Sequence, residues 1–385
     1  MFQCFNLFRW SWVGGEAFLI SLLFVSCTTD STLPLAEDIT TEATVTLMVS
    51  PNGLGDNGYN DATADGVFAF AQQSGINLRL LQPQSGAEAQ TMFSQWMADN
   101  ADTDSAVLIL ASSEYEAMVS QLMADNAILE VSSVAKRRAR HSSSAIRHSD
   151  TSRRVLLFES NAEIDGVTTV MISRYGVSWL AGAMSQGFNA LILAAAEGMS
   201  TLEEAVAGFR DARAEYAGEA DGRPCTTTLH YLAGDASGFA MPDSAYRYVA
   251  RLIDNAYAYD KMIFPLLGGS VTGLLRCMND DDLSSALMIG MDVDMTGRCS
   301  RLPFSVVIRI GDVVRRYLDD WHLGREWPQR QRLGINEGAA DIVITPNFGR
   351  YLDIWDSRYE DPDTFKKRYE QYKEEAIRKE EEHEC

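Results

Sequence analysis

Between Thr44 and Asp353, short β-branched and apolar runs recur, each closed by a polar turn and most followed by a segment of helical spacing. Thr44–Ser50, Asn77–Leu81, Ala106–Leu110, Val155–Phe158 and Gly166–Ile172 read as strands, with helices after Asp61, over Ala87–Asp99 and over Glu114–Asn126. Consecutive buried strands separated by a helix must run parallel, because the return crossing consumes that helix. The alternation resumes with strands at Asn189–Ala195, Thr226–Ala233, Met262–Leu267 and Ala286–Gly290, around helices at Thr201–Tyr216 and Ser244–Asn255. A further strand is expected at Ala127–Val131, and a helix at Asp312–Leu323. The chain is therefore expected to be α/β, with doubly wound parallel sheets. At 385 residues and 46% hydrophobic it supports two domains rather than one.

The first unit, TVTLMVSPNGLGDNGYNDATADGVFAFA from Thr44, is a strand, a turn crowded with Gly, Asn and Asp, and a helix. Ligands in open α/β sheets sit at the carboxyl ends of strands, so this turn is a candidate site floor. Gly53, Gly55 and Gly58 spell G-x-G-x-x-G, but the spacing is not read as a dinucleotide site. Asp56 stands inside the loop, where it would repel a pyrophosphate, and the second strand ends in Gln82 and Pro83 instead of an acid for a ribose. Asp61 suits either a helix cap or a ligand contact.

A net charge of −21 argues against nucleic acid as a partner. Residues 1–27 resemble a lipoprotein signal, with an apolar run at Ala17–Val25 ending in Phe24-Val25-Ser26-Cys27, and Cys27 as the residue to be lipidated. Residues 28–43 read as a tether, which would place the domain outside the cytoplasm and tie it to a membrane. The stretch Ala135–Arg154 is basic, Ser-rich and without apolar period, an exposed loop. Residues 361–385 form a charged run expected to be a solvated helix. Cys225, Cys277, Cys299 and Cys385 have no zinc-ligand spacing; Cys277 and Cys299 are read as buried thiols, with a disulfide as the alternative. Five histidines, none in a triad context, and the lack of G-x-S-x-G, H-E-x-x-H or a P-loop point away from an enzyme, with no metal or cofactor expected.

Several phrases, in order, resemble the basic membrane protein (BMP) family of substrate-binding lipoproteins, related to bacterial purine nucleoside receptors. Tyr59-Asn60-Asp61 matches the family's Phe-Asn-Asp turn, Ser178–Ala183 its S-Y-L-A-G helix start, and Ser237-Gly238-Phe239 its G-S-F loop. Gly268-Gly269-Ser270 with Gly273 matches G-G-S/T-G, Asp292 and Asp294 match G-V-D-x-D, and Phe304–Arg309 resembles S-V-V-K with Arg309 for Lys. Glu337-Gly338 resembles a final E-G turn. The resemblance implies two lobes joined by crossing segments, as in type I periplasmic binding proteins. Lobe 1 would be 44–165 with about 310–333, and lobe 2 would be 166–309 with about 334–360. It implies a monomer that captures a nucleoside-like small molecule between the lobes and delivers it to an ABC permease and ATPase. Tyr59, Asn60, Asp61, Phe239, Gly269, Asp292 and Arg309 are the expected ligand-binding residues. A sensory or scaffolding lipoprotein with the same fold is the alternative, and an exported nucleoside- or sugar-acting enzyme a remoter one.

Overall fold

The computed structural model describes residues 44–101, 105–125, 153–217, 225–253, 261–280, 286–348 and 362–384. The expected signal and the expected tether, the expected strand at Ala127–Val131 and all but the end of the basic stretch lie outside the described residues. The strands are β1 Thr44–Met48, β2 Asn77–Leu81, β3 Ala106–Leu110, β4 Arg154–Phe158, β5 Val167–Ile172, β6 Asn189–Ala196, β7 Thr227–Ala233, β8 Lys261–Leu266, β9 Leu287–Met288, β10 Phe304–Ile308, β11 Arg330–Leu333 and β12 Ala340–Ile344. The helices are α1 Tyr59–Ser74, α2 Gly86–Asp99, α3 116–125, α4 Tyr175–Met184, α5 Ser200–Glu215, α6 Pro242–Ile253, α7 Val271–Met278, α8 Ile310–His322 and α9 Pro362–Glu384.

A six-stranded sheet has the order β11-β5-β4-β3-β1-β2 and a four-stranded sheet the order β7-β6-β8-β9, both parallel throughout. The antiparallel pair β10–β12 adjoins the second sheet through a bridge between Gly290 and Ser305. Strand alternation divides the first core. Val45, Leu47 and Val49 share one apolar cluster with α1 and α8, whereas Met48 meets Phe93 and Trp96 of α2 on the opposite face. Each such large apolar side chain contributes about 1.5–3 kcal/mol by leaving water, and the Trp96 indole N–H is satisfied by Thr46 Oγ1 at 3.0 Å. The second sheet is sandwiched in the same way, by Phe209 and Ala212 of α5 on one face and Ala245, Val249 and Ile253 of α6 on the other. Helices α1 and α8 cross so tightly that a Cβ on Gly66 would lie 2.4 Å from the Gly311 carbonyl oxygen.

The chain passes between the sheets after β5, between β10 and α8, and between β11 and β12. The first passage corrects the expected boundary at residue 165. β5 pairs with β4 in the first sheet, with Val155 opposite Val167, so the change of sheet comes after Ile172. The link between β4 and β5 is too short to hold a packed crossover helix.

The C-terminal helix also differs from its expectation. α9 is not solvated all round: Tyr372, Ala376 and Glu380 are buried along one face. Glu380 accepts hydrogen bonds from the backbone N–H of Gly176 at 3.3 Å and of Ile335 at 3.0 Å, in two of the segments that join the sheets. His383 stacks on Tyr175 with ring centroids 3.9 Å apart. Cys277 and Cys299 are free thiols in one buried cluster beside α6 and α7. Among the described residues, no helix is long and apolar enough to cross a membrane.

Candidate functional site

Chain order reverses between β1 and β3 in the first sheet and between β6 and β8 in the second. Turns diverge at such a point, leaving a crevice beyond the strand ends. The two crevices form one cavity with about 840 Å³ of empty space, part of it open to solvent. Ser50 and Asn52 line it from the end of β1, and Ser112 and Ser113 from the end of β3. Met199, Thr201 and Leu202 close it from beyond β6, and Leu267, Gly268 and Gly269 from beyond β8.

The first turn is held by its own acids. Asp56 Oδ1 accepts from Gly58 N at 2.9 Å and Asp61 N at 3.2 Å, and Oδ2 accepts from Asn60 N at 2.9 Å. Asp56 therefore satisfies the N-terminal donors of α1 and meets the positive end of its dipole. Asp61 does neither of the things expected of it. Its carboxylate accepts from the backbone N–H of Gly55 and of Asn57, each at 2.7 Å, and it does not line the cavity. Helix α1 starts at Tyr59, ahead of Asp61, which leaves the carboxylate free to reach back and close the loop. Asn60 faces the cavity while its amide ties α1 to the end of β1, donating to Ser50 Oγ at 3.1 Å.

Tyr59, Asn60, Phe239, Gly269 and Asp292 line the cavity together, although they come from four separate segments. Phe239 projects from the 3₁₀ turn Ala236–Ala240 after β7 and packs against Gly268, where a Cβ would lie 2.8 Å from its ring. Asp292 follows β9 in a left-handed conformation with φ 69°. Its Oδ2 comes within 3.6 Å of where a Gly58 Cβ would stand, so the two sides of the cavity meet there. Arg309 is not brought to the site. It lies 3.8 Å from Asp341, which also holds Lys373 of α9 at 2.8 Å, among the elements that join the sheets. The match to a family lysine had singled out Arg309, but the chain spends that charge on an ion pair.

Of the lining residues that were not expected, two form a buried ion pair. Glu159 stands just beyond β4 and Arg174 just beyond β5. The strand-end rule that flagged the first turn applies equally to both. Arg174 Nη2 donates to Glu159 Oε1 at 3.0 Å, Nη1 donates to the Ile172 carbonyl at 2.7 Å, and both side chains are under a tenth exposed. The guanidinium also sits 5.9 Å from the centre of the Tyr59 ring. Burial opposes the Arg174 charge, but Glu159 and Asp292 outweigh it and raise its pKa above the ordinary value. Burial pushes the Asp292 carboxyl up to about 6; Arg174 resists this, and Asp56 and Glu159 reinforce it. The Tyr59 phenol is raised by burial and then by Glu159. Among the described residues, Asp56, Glu114, Glu159 and Asp292 line the cavity with one cation, Arg174, which is already paired. Such a lining admits neutral or positively charged solutes and repels phosphates and carboxylates.

Comparison with solved structures gives three informative neighbours. A solute-binding protein of an ABC transporter system from Aeropyrum pernix K1 superposes with a TM-score of 0.67 at 15% identity, over 88% of this chain and 92% of that one. The fold is that of the type I periplasmic binding proteins. A sugar ABC transport substrate-binding protein from Bordetella parapertussis aligns at TM-score 0.52 and 13% identity, over 79% of this chain and 89% of that one. A transcriptional activator of the comK gene from Bacillus halodurans aligns at 0.54 and 13%, over 79% and 91%. No family model matches the sequence, and no curated protein does so.

Proposed function

We propose that this chain is a solute-binding lipoprotein of the BMP type, capturing a small polar molecule, a nucleoside by the resemblance, for an ABC importer. Five of the seven residues expected from that resemblance line one cavity, although they are far apart in sequence, and this observation carries the reading. The two halves of a nucleoside have matching chemistry here. Asp292 offers acceptors for ribose hydroxyls, and Phe239 and Tyr59 offer aromatic surface for a base. Lobe 1 would comprise 44–172 with 310–333, and lobe 2 would comprise 173–309 with 334–348, closing on the ligand about the three crossing segments. Lipid on Cys27 would hold the domain outside the cytoplasm beside a permease and ATPase.

The test is thermal unfolding of the purified protein against nucleosides, bases and sugars. A ligand at about 100 times its dissociation constant stabilises a folded receptor by about 2.7 kcal/mol. A nucleoside should raise the melting temperature of the wild type and leave Asp292→Ala unmoved. Shifts confined to sugars would remove the nucleoside assignment, and no shift with any compound would remove the solute-binding reading.

A further inference from the structure

Three segments join the two sheets, and α9 reaches all of them. Glu380, 4% exposed, accepts from Gly176 N at 3.3 Å where the first passage runs into α4, and from Ile335 N at 3.0 Å in the third. Both passages make room for it: a Cβ on Gly176 would lie 2.8 Å from the carboxylate, and one on Gly334 closer still. The second passage is tied to α9 through Asp341, which Arg309 and Lys373 share. Beyond Glu380, His383 stacks on Tyr175, and Glu384 pairs with Arg332 of the first sheet. Arg332 also pairs with Glu204 of α5, and α5 is fastened to α9 by Glu215 and Lys379 at 2.9 Å. All these bonds are made while the cavity walls touch. Asp56 Cβ lies 3.7 Å from where a Gly269 Cβ would stand, and the Asp292 carboxylate 3.6 Å from where a Gly58 Cβ would.

We infer that the last turn of α9 is a latch on the hinge: Glu380 and Glu384 hold the joining segments in the arrangement that brings the cavity walls together, so that breaking the latch widens the cleft and weakens capture of solute although no cavity residue is changed. Rotation of two lobes about joining segments is absorbed by φ and ψ within those segments. One carboxylate accepts from N–H groups of two such segments at a single relative placement, so rotation must break one of its bonds or carry α9 with it. Breaking is costly, because a buried carboxylate that loses its donors keeps its desolvation penalty. Arg332 acts in the same sense. It stands on β11 of the first sheet and is gripped by carboxylates from α5, which packs on the second sheet, and from α9. A receptor whose closed state is less populated binds with proportionally lower apparent affinity.

The effect on capture rests on the solute-binding reading; the effect on cleft width does not, and the two are measured separately. Small-angle X-ray scattering of the ligand-free purified protein should give a larger radius of gyration for Glu380→Ala than for the wild type. Glu374→Ala, on the exposed face of α9, should leave the radius unchanged. Calorimetric titration with adenosine and with inosine should show binding about tenfold weaker in Glu380→Ala, the scale of one hydrogen bond to a charged acceptor lost from the closed state. Saturating nucleoside should return the variant's radius to the liganded wild-type value, because the ligand selects the closed state; a merely damaged fold would not recover. Glu384→Ala should shift radius and affinity in the same direction, and it decides the matter if Glu380→Ala does not fold. Wild-type radii in both variants, an equal increase in Glu374→Ala, or a radius that bound nucleoside does not restore would each overturn the inference. If neither nucleoside binds the wild type, the nucleoside assignment fails and the ligand-free radii alone judge the latch.

Discussion

Replacing Asp292 with Asn should stabilise the ligand-free protein while weakening its binding, and the size of the effect follows from the carboxyl's position. Burial raises this group from 3.8 to about 6, a displacement of about two units. At about 1.4 kcal/mol per unit, the ionised form is disfavoured in the fold by roughly 3 kcal/mol. Solvent reaching this partly buried side chain screens the effect, so about 1–3 kcal/mol is the expected range. The sign follows from proton counting. Between pH 3.8 and about 6 the folded state holds a proton that the unfolded state has lost, so wild-type stability from this group declines as pH rises through that window. Asn mimics the protonated carboxyl at every pH and tolerates the left-handed backbone at this position. The stability difference between variant and wild type should therefore be near zero below pH 4, grow between about 4 and 6, and level off above. Urea unfolding at several pH values from 4 to 8 measures it directly. A variant less stable than wild type at pH 8, or a difference independent of pH, would refute the reasoning.

Three further outcomes are expected. Gly66→Ala should lower stability by about 1–3 kcal/mol despite alanine's better helix propensity, because the new methyl would meet Gly311 backbone at 2.4 Å; Gly86→Ala, with nothing within 4 Å, is the control and should not destabilise. Glu380→Ala would leave the N–H groups of Gly176 and Ile335 without their acceptor. Hydrogen exchange should then quicken in the 173–177 and 334–340 segments while β1 and β3 stay protected. Adenosine 5′-monophosphate should bind far more weakly than adenosine, since among the described residues four carboxylates and one paired arginine line the cavity; comparable affinities would show that the lining does not exclude anions.

The parallel strands were legible because their faces are buried on both sides, which leaves unbroken apolar runs such as Ala106–Leu110. Their carboxyl ends then located the cavity. Less visible was what each polar residue does once there. Asp56 and Asp61 are chemically alike and lie in the same turn, yet one caps the helix and lines the cavity while the other closes the loop. That choice depends on where α1 begins, a matter of one or two residues. Glu159 and Arg174 are fifteen positions apart in sequence, and only the side-by-side pairing of β4 and β5 brings them together. In α9 the buried face of Tyr372, Ala376 and Glu380 has a helical spacing, but a composition dominated by Glu, Lys and Arg conceals it. A buried glutamate that caps two crossing segments cannot be told from a solvated one by residue type.

One solute is expected to bind between the carboxyl ends of the two sheets. A crystal structure grown with the nucleoside giving the largest thermal shift tests it most directly. A single molecule enclosed by Asn60, Glu159, Phe239 and Asp292, with Phe239 against the base, is the expected result. A ligand seated elsewhere, or no nucleoside that binds at all, would contradict it.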